Sequence, residues 1–293
     1  MIATFETGSF IWTQGCGTND GDCRYMRNAL WPFVRSKTKS ALNGTWSSLS
    51  RRPPEPMKDI LCNICGSEGP FADPTGGSNL RESLQCAGCG SKSRDRMLIY
   101  ALSLVLGRSD ALSQWPANQK YRIFETAGYR GHPPFLAEKY DYYNTKYDPE
   151  KIAAGADPRR YADIQQLPYA DNFFDCVLSS DVFEHVRLDH QGFREILRVL
   201  KPGGILILQA PYGHIPHTRI LVRPNGDKDE FLEPPQYHAE NTLVYRIYGY
   251  DLLDLLRSIG FSVTRFRISV PRHQISEQDT FVLAKGSYTQ FKR

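Results

Sequence analysis

The stretch YRIFETAGYRG (residues 121–131) indicates the fold class, because it places a short apolar run directly before a glycine-containing loop. From this point, short apolar runs alternate with helical patterns. They predict strands at 121–126, 142–147, 176–179, 205–210, 262–267 and 280–284, and helices at 135–140, 192–200 and 250–259. Strands that alternate with helices form a parallel α/β sheet with right-handed crossovers. The last two runs have no helix between them, which predicts an antiparallel strand at the end of the sheet.

Composition excludes several classes of protein. The 293 residues are 41% hydrophobic and 12% aromatic, which is enough to fill a core and excludes global disorder. No apolar run approaches the ~18 residues that cross a bilayer, and the first residues lack the basic and apolar regions of a signal peptide. A net charge of +4 is too small to indicate nucleic acid by itself. We therefore expect a cytoplasmic protein without a membrane span.

Two matching hexapeptides, CNICGS (residues 62–67) and CAGCGS (residues 86–91), contain four of the seven cysteines. Their spacing is typical of a zinc ribbon, and the duplication argues against four ordinary cysteines. Four cysteine ligands leave no open position, so the predicted zinc is structural. The glycine after each pair permits a positive φ, which lets backbone N–H groups turn toward the sulfurs. The predicted ligands are Cys62, Cys65, Cys86 and Cys89.

The chain divides into three predicted parts. Residues 1–57 form a basic N-terminal arm and linker, residues 58–107 the ribbon with its following helix, and residues 118–293 the α/β domain. Positions 24 to 54 hold seven basic residues and no acidic one. This run is either a solvated arm or a docking site for an anionic partner, such as a carrier-protein phosphopantetheine helix, an anionic sugar carrier or RNA. The long segment 211–249 is rich in histidine and aromatic residues, which is typical of a functional connection.

Several motifs of the α/β half stand in a characteristic order. They are ETAGYRG (125–131), DIQQLP (163–168), FDCV (174–177), VFEHV (182–186) and REILRVLKPGG (194–204). This set resembles the class I S-adenosylmethionine-dependent methyltransferases over roughly residues 121–285. The second hexapeptide runs into a helix with Arg94 and Arg96, and RIYG stands at 246–249. These features resemble a methyltransferase type 11-like subgroup with a four-cysteine ribbon ahead of the domain.

The resemblance implies a doubly wound, mostly parallel, seven-stranded Rossmann-like sheet with S-adenosylmethionine at the carboxyl ends of the strands. Glu125 would bind the cofactor amino group or support the glycine loop, and Asp163 with the N–H of Ile164 would bind adenine. Lys146 stands where an acidic residue normally holds the ribose, and Asp148 is the nearest substitute. Tyr129 and Arg130 crowd the glycine loop. A dinucleotide pyrophosphate needs a close approach to such a loop, so this argues against a nicotinamide cofactor. The other implied residues, which line the methionine and ribose portions, are Ala127, Gly128, Gly131, Ser179, Ser180 and Asp181.

Methyl transfer from a sulfonium needs positioning, exclusion of water and sometimes a base. His185 follows the fourth predicted strand, where a base is expected; the alternative is that it packs against the sheet. His214, His238 and Tyr212 lie in the 211–249 segment and either line an acceptor pocket or are ordinary loop residues. A metal site made of His214, His217 and His238 with carboxylates of the same segment is a further alternative, although their spacing matches no standard site.

These interpretations predict a ribbon-bearing methyltransferase that acts on an oxygen or nitrogen of a small-molecule or sugar-like acceptor. One alternative is a degenerate methyltransferase fold that serves as a binding or scaffold protein. Another is an RNA or protein methyltransferase recruited through the ribbon and basic arm, although no basic-aromatic stripe lies between the cysteine pairs. Cofactor titration distinguishes the first alternative, and the salt dependence of RNA binding distinguishes the second.

Overall fold

The computed structural model contains one central sheet and describes residues 60–129, 131–238 and 241–286. Four parallel strands form most of it: β1 (Asn118–Thr126), β2 (Tyr140–Thr145), β3 (Phe174–Ser180) and β4 (Leu200–Gln209). Short strands follow: β5 (Arg219–Ile220), β6 (Val222–Asn225), β7 (Lys228–Phe231), β8 (Tyr237–His238), β9 (Thr242–Leu243) and β10 (Arg246–Ile247). With β11 (Phe261–Val270) and β12 (Ile275–Lys285), the sheet order is β11-β12-β4-β3-β1-β2. The predicted mostly parallel α/β sheet is confirmed, and the predicted basic arm, 1–57, lies outside the described residues.

Five α-helices connect or cover the strands in the described part of the chain. They are α1 (Ser93–Leu106), α2 (Pro133–Lys139), α3 (Pro149–Ala153), α4 (Asp189–Val199) and α5 (Asp251–Ile259). α1 ends at Gly107, whose φ of +62° lies in the left-handed region that favours glycine. Within these residues, no helix is both long and apolar enough to cross a membrane.

The central sheet has six strands over the described ranges, where seven were predicted. Beyond β2, a single parallel bridge joins Lys146 to Tyr161. The Lys146 N–H donates to the Arg160 carbonyl at 2.8 Å, and the Ala162 N–H donates to the Lys146 carbonyl at 3.1 Å. The stretch GADPRR (155–160) disfavours a strand, because its proline has no N–H and the other residues are poor strand formers. One bridge therefore occupies the place of the seventh strand.

β12 pairs with β4 on one side and with β11 on the other, antiparallel to both. The predicted antiparallel direction is confirmed, but the predicted position is wrong, because β11 forms the edge of the sheet. Phe281, Val282 and Leu283 are all buried in β12, so both faces of this strand are covered. A strand with two buried faces is typical of the interior of a sheet.

Residues 60–106, here called the cysteine region, include α1, and α1 attaches this region to one face of the sheet. Met97 and Ile99 of α1 belong to one apolar cluster with Cys62, Ile205 of β4 and Val282 of β12. A second cluster on the opposite face contains α4 and α5. Because apolar burial is the main stabilising contribution in folding, the cysteine region and the sheet depend on the same core.

The 211–249 segment contains three short antiparallel pairs within its described residues: β5 with β10, β6 with β7, and β8 with β9. Leu221, Val222, Val244 and Tyr245 form a small apolar cluster of their own. The Tyr245 N–H donates to the Glu184 carbonyl at 2.8 Å. The segment is therefore a folded element that lies against the loop after β3.

Candidate active site

The loops after β1, β3 and β4 contain residues with left-handed backbone geometry. φ is +56° at Ala127, +53° at Asp181 and +51° at His214. Such φ values are strained for residues other than glycine, and they cluster at functional sites. Gly131 has φ of +77°, and a Cβ there would lie 2.7 Å from the Ser91 Cβ. Because the carboxyl ends of parallel strands meet at one edge, these loops define the candidate site.

Glu125 is buried at the end of β1 and makes hydrogen bonds within the protein. Its Oε1 accepts from His132 Nε2 at 2.7 Å, and its Oε2 accepts from the Tyr142 hydroxyl group. Burial and the adjacent Glu125 raise the pKa of Tyr142 well above its usual value, so the phenol remains a donor. A Cβ at Gly128 would lie 2.5 Å from the Glu125 carboxyl carbon. The Glu125 carboxylate therefore packs directly against the backbone of Gly128.

Two arginines of the cysteine region bind Asp181 at the end of β3. Arg81 Nη2 donates to Oδ1 at 2.7 Å, and Arg94 Nη1 donates to Oδ2 at 2.6 Å. Burial alone would raise the pKa of Asp181, but the two guanidinium groups outweigh it and lower that pKa. The cysteine region thus contributes charged side chains to the carboxyl edge of the sheet.

Glu184, His185 and His238 form a compact cluster next to Asp181. His185 Nε2 lies 3.1 Å from His238 Nδ1 and 3.6 Å from Glu184 Oε1. His185 Nδ1 donates to the Leu243 carbonyl at 2.8 Å, so the lone pair of the neutral ring is on Nε2. Burial, with a further contribution from Asp181, raises the pKa of Glu184 to about 8, and burial lowers the pKa of His185. The structure therefore brings two of the candidate histidines together.

Tyr212 and His214 have other contacts. His214 Nε2 lies 2.9 Å from Asp279 Oδ2 of β12 and 3.0 Å from Arg267 Nη1 of β11. The Tyr212 and His214 rings meet edge to face, with centroids 5.2 Å apart. Burial raises the pKa of Tyr212 to about 12, so its hydroxyl group stays protonated. These two residues lie toward the antiparallel end of the sheet.

The residues implied to bind adenosine make local hydrogen bonds. Asp148 caps α3 and accepts from the Lys151 N–H at 3.1 Å. Asp163 accepts from the Gln165 N–H at 2.8 Å. Ile164 is buried in the apolar cluster beside α4. The carboxylates of Asp148 and Asp163 therefore order their own loops.

Asn144 stands beside the glycine loop near the end of β2. Its Nδ2 donates to the Gly128 carbonyl at 2.7 Å, and its buried Oδ1 has no hydrogen-bond partner in the described ranges. Lys146, two positions later, is exposed. Asn144 therefore offers an unsatisfied oxygen beside the glycine loop, and Lys146 does not.

Ser179 and Ser180 connect neighbouring strands at the end of β3. Thr126 Oγ1 donates to Ser179 Oγ at 2.9 Å, which joins β1 to β3. Ser180 Oγ donates to Gln209 Oε1 at 2.9 Å, which joins β3 to β4. These hydrogen bonds hold the three strand ends at fixed positions beneath the loops.

The two cysteine hexapeptides form matching turns. In each turn the N–H of the glycine donates to the carbonyl of the first cysteine at 2.8 Å, and the glycines have φ of +80° and +72°, as predicted. The Sγ atoms of Cys62 and Cys89 are 3.7 Å apart, as are those of Cys65 and Cys86. Four sulfurs at about 2.3 Å from one tetrahedral zinc ion lie about 3.8 Å from one another. The four side chains therefore fit a single zinc ion.

Sequence analysis missed the roles of Arg81, Asn144 and Glu184. Glu184 precedes His185 directly after a strand, and this adjacency was the available signal. No local pattern links Arg81 to Asp181, because 100 positions separate them. Contacts of this kind become visible only when the topology is known.

Parts of this chain are similar in sequence to known methyltransferases. The family described as a methyltransferase domain matches residues 131–208. YodH, an uncharacterized methyltransferase of Bacillus subtilis (strain 168), is 29% identical over 167 residues, which are 53% of this chain and 63% of YodH. The ubiquinone/menaquinone biosynthesis C-methyltransferase UbiE of Pseudomonas putida (strain GB-1) is 45% identical over 47 residues, 16% of this chain and 18% of UbiE. The chain thus spans less than two thirds of the length of either relative.

Among solved structures, a 1,6-didemethyltoxoflavin-N1-methyltransferase of Burkholderia thailandensis has 1,6-didemethyltoxoflavin and S-adenosylhomocysteine bound. It is 19% identical and covers 66% of this chain and 78% of its own, with a TM-score of 0.38. The family match spans β2, β3, α4 and most of β4. The α/β region is therefore similar in sequence to methyltransferases.

Proposed function

We propose that the protein transfers a methyl group from S-adenosylmethionine to an oxygen or nitrogen of a small-molecule or sugar-like acceptor. The observation that carries this function is the cluster of Glu184, His185 and His238, which follows β3 at the carboxyl edge. In open α/β sheets, ligands bind outside this edge. A hydroxyl group or protonated amine loses a proton when it is methylated, and imidazole and carboxylate groups can assist that transfer. The cluster therefore suits an oxygen or nitrogen acceptor.

The residues at the carboxyl edge fit the cofactor, which would supply an electrophilic methyl group on its sulfonium. The buried and unsatisfied Asn144 Oδ1 offers an acceptor for a ribose hydroxyl group, which Lys146 cannot provide. Asp163 and the Ile164 N–H would bind adenine, and Glu125 would support the loop. The methionine and ribose portions would be lined by Ala127, Gly128, Gly131, Ser179, Ser180 and Asp181, with Asp148 near the ribose.

The acceptor would bind between the cluster and the Tyr212–His214 part of the 211–249 segment. Asp279 orients the His214 ring, and the protonated Tyr212 hydroxyl group can donate a hydrogen bond to a polar acceptor. The folded 211–249 segment would exclude water from this edge, and electrostatic interactions near the reacting atoms are stronger where water is excluded. Tyr212 and His214 would therefore bind the acceptor, while the cluster of Glu184, His185 and His238 would promote loss of its proton.

We also propose that Cys62, Cys65, Cys86 and Cys89 hold one structural zinc ion. The support is the distance of 3.7 Å within two sulfur pairs and the close grouping of all four atoms. A site with four thiolate ligands has no open position for substrate. This zinc would stabilise the region that supplies Arg81 and Arg94 to the edge.

Calorimetric titration with S-adenosylhomocysteine tests the cofactor site. Asp163→Ala should weaken binding by about tenfold, because the loss of a hydrogen-bond acceptor costs about 1–3 kcal/mol. Asp171→Ala is the matched control, since this carboxylate is 69% exposed and pairs only with Arg198 among the contacts described. Equal affinity of Asp163→Ala and wild type would remove Asp163 from the site. Absence of binding by the zinc-replete wild type would favour the scaffold alternative.

Labelled S-adenosylmethionine, incubated with metabolite extracts and followed by mass spectrometry, tests the reaction. His185→Ala, Tyr212→Phe and His214→Ala should each reduce turnover of an acceptor found this way and leave affinity for S-adenosylhomocysteine near wild type. His217→Ala is the control, because its side chain is 89% exposed in the same segment. Normal turnover in all three variants would contradict the placement of the acceptor. A product that appears only with RNA or protein would favour recruitment through the ribbon or an anionic partner at residues 1–57.

A further inference from the structure

We propose that Glu184, His185 and His238 bind a divalent metal ion, distinct from the ribbon zinc, with positions left open for the acceptor. The three donor atoms are Glu184 Oε1, His185 Nε2 and His238 Nδ1. Two imidazoles with one carboxylate are a ligand set that suits zinc, cobalt, manganese or iron. The catalytic role of this ion rests on the proposed function. Binding of the ion does not, because it can be measured without an acceptor.

The distances between the donor atoms fit a shared ion. His185 Nε2 lies 3.1 Å from His238 Nδ1, and Glu184 Oε1 lies 3.6 Å from the first and 4.0 Å from the second. Three ligands about 2.1 Å from one ion in tetrahedral geometry lie about 3.4 Å apart. The observed values lie on both sides of this spacing, so small side-chain rotations would complete the site.

Glu184 supplies an independent reason for a cation. The residue is fully buried, and neither carboxylate oxygen has a hydrogen-bond partner in the part of the chain that the structure describes. A buried carboxylate without a partner is costly, because burial removes its hydration. The nearby guanidinium groups of Arg81 and Arg94 are bonded to Asp181 instead. A metal ion between Glu184 and the histidines would satisfy the carboxylate.

The surrounding hydrogen bonds orient the ligands. His185 Nδ1 donates to the Leu243 carbonyl at 2.8 Å, which directs the lone pair of Nε2 toward His238 and Glu184. Metal-ligating histidines usually donate their second ring N–H to such a carbonyl or carboxylate. Leu243 pairs with Tyr237, next to His238, in the β8–β9 ladder. One hairpin therefore presents a ligand and fixes the orientation of another.

Three protein ligands leave room for an acceptor oxygen. A divalent ion lowers the pKa of a bound hydroxyl group or water, which would let a hydroxyl acceptor react near neutral pH. In this arrangement the histidines would position the ion. The acceptor oxygen would bond to the methyl carbon as the sulfonium carbon–sulfur bond breaks, and the acceptor proton would leave to solvent. The alternative is a metal-free hydrogen bond between the two histidines beside a protonated Glu184.

Titration of the zinc-replete full chain with Co²⁺ tests the site. Wild type should bind one further ion per chain, with the visible absorption of nitrogen and oxygen ligation and without the intense sulfur-to-cobalt bands of a thiolate site. Glu184→Gln and His238→Ala should each weaken this binding by about a hundredfold, because each removes one of three ligands. His238 is half-exposed, so its alanine variant should fold even if Glu184→Gln does not. His217→Ala is the control and should bind cobalt like wild type.

The outcomes separate the metal site from the proposed function. No further ion in wild type at millimolar Co²⁺, or unchanged binding in both ligand variants, would overturn the site. Sulfur-to-cobalt bands would assign the bound cobalt to the ribbon and would also overturn it. If the wild type binds cobalt but does not bind S-adenosylhomocysteine, or transfers no methyl group, the proposed function is contradicted and the metal site is not.

Discussion

Replacement of Arg96 should release the cysteine region from the sheet. Arg96 is fully buried in α1, and its guanidinium group donates to four backbone carbonyls. These are Ser91 at 2.7 Å, Leu84 at 2.7 Å, His273 at 2.8 Å and Gln274 at 3.1 Å. Two of these residues lie in the cysteine region and two directly before β12. One side chain thus joins segments that are about 180 positions apart.

Arg96→Met keeps most of the side-chain volume and removes all of these donors. Each buried carbonyl that loses its partner costs about 1–3 kcal/mol, and relaxation or water recovers part of the total. We therefore expect the free energy of unfolding to fall by about 4 kcal/mol. Arg96→Lys should recover only part of this, because an ammonium group lacks the planar fork that reaches several carbonyls at once.

Urea denaturation of the zinc-saturated variants, followed by circular dichroism, measures this loss. Arg223→Met is the matched control, since Arg223 is 59% exposed and, among the described residues, pairs with Glu230 at 3.3 Å. That change should cost less than about 0.5 kcal/mol. A value for Arg96→Met within about 1 kcal/mol of wild type would refute the inference that Arg96 holds the two segments together.

Three further predictions follow from individual side chains. Cys86→Ser should reduce the zinc content below one ion per chain and speed hydrogen exchange over residues 60–106; full retention of zinc would contradict the ribbon assignment. Burial raises the pKa of Cys176 well above its usual value, so iodoacetamide at pH 8 should modify it only in urea, and labelling of the native protein would contradict its burial. Gly128→Ala should lower the free energy of unfolding by about 2 kcal/mol through its clash with Glu125, whereas an unchanged melting temperature would contradict that packing.

Local patterns in the sequence predicted the parallel strands and the turns that hold the cysteines. The apolar run before Glu125 is β1, which begins earlier than predicted and ends where predicted. The run around Cys176 is β3, which extends beyond both predicted ends. The turns were predictable because cysteine spacing and the glycine after each pair are local properties. The seventh strand was expected only by resemblance, and the GADPRR stretch favours a single bridge at Lys146 instead.

The arrangement of the candidate site depends on contacts between distant segments. His185 and His238 are 53 positions apart and meet because β8 and β9 form a hairpin beside the loop after β3. Arg94 and Asp181 are 87 positions apart and meet because α1 lies on the sheet. Periodicity shows which face of an element is apolar, but it does not show which polar side chains face one another across elements.

The contacts between the cysteine region and the last strands determine when the fold can be completed during synthesis. The Leu61 N–H donates to the Arg272 carbonyl at 2.9 Å, and the Phe71 N–H donates to Gln274 Oε1 at 2.7 Å. On the ribosome, the hexapeptides emerge before β12, and the part of the apolar face of α1 that packs on β12 stays exposed until β12 has been translated. Contacts between such distant segments slow folding and leave apolar surface open to aggregation. A nascent chain stalled before residue 275 should therefore need a chaperone to remain unaggregated.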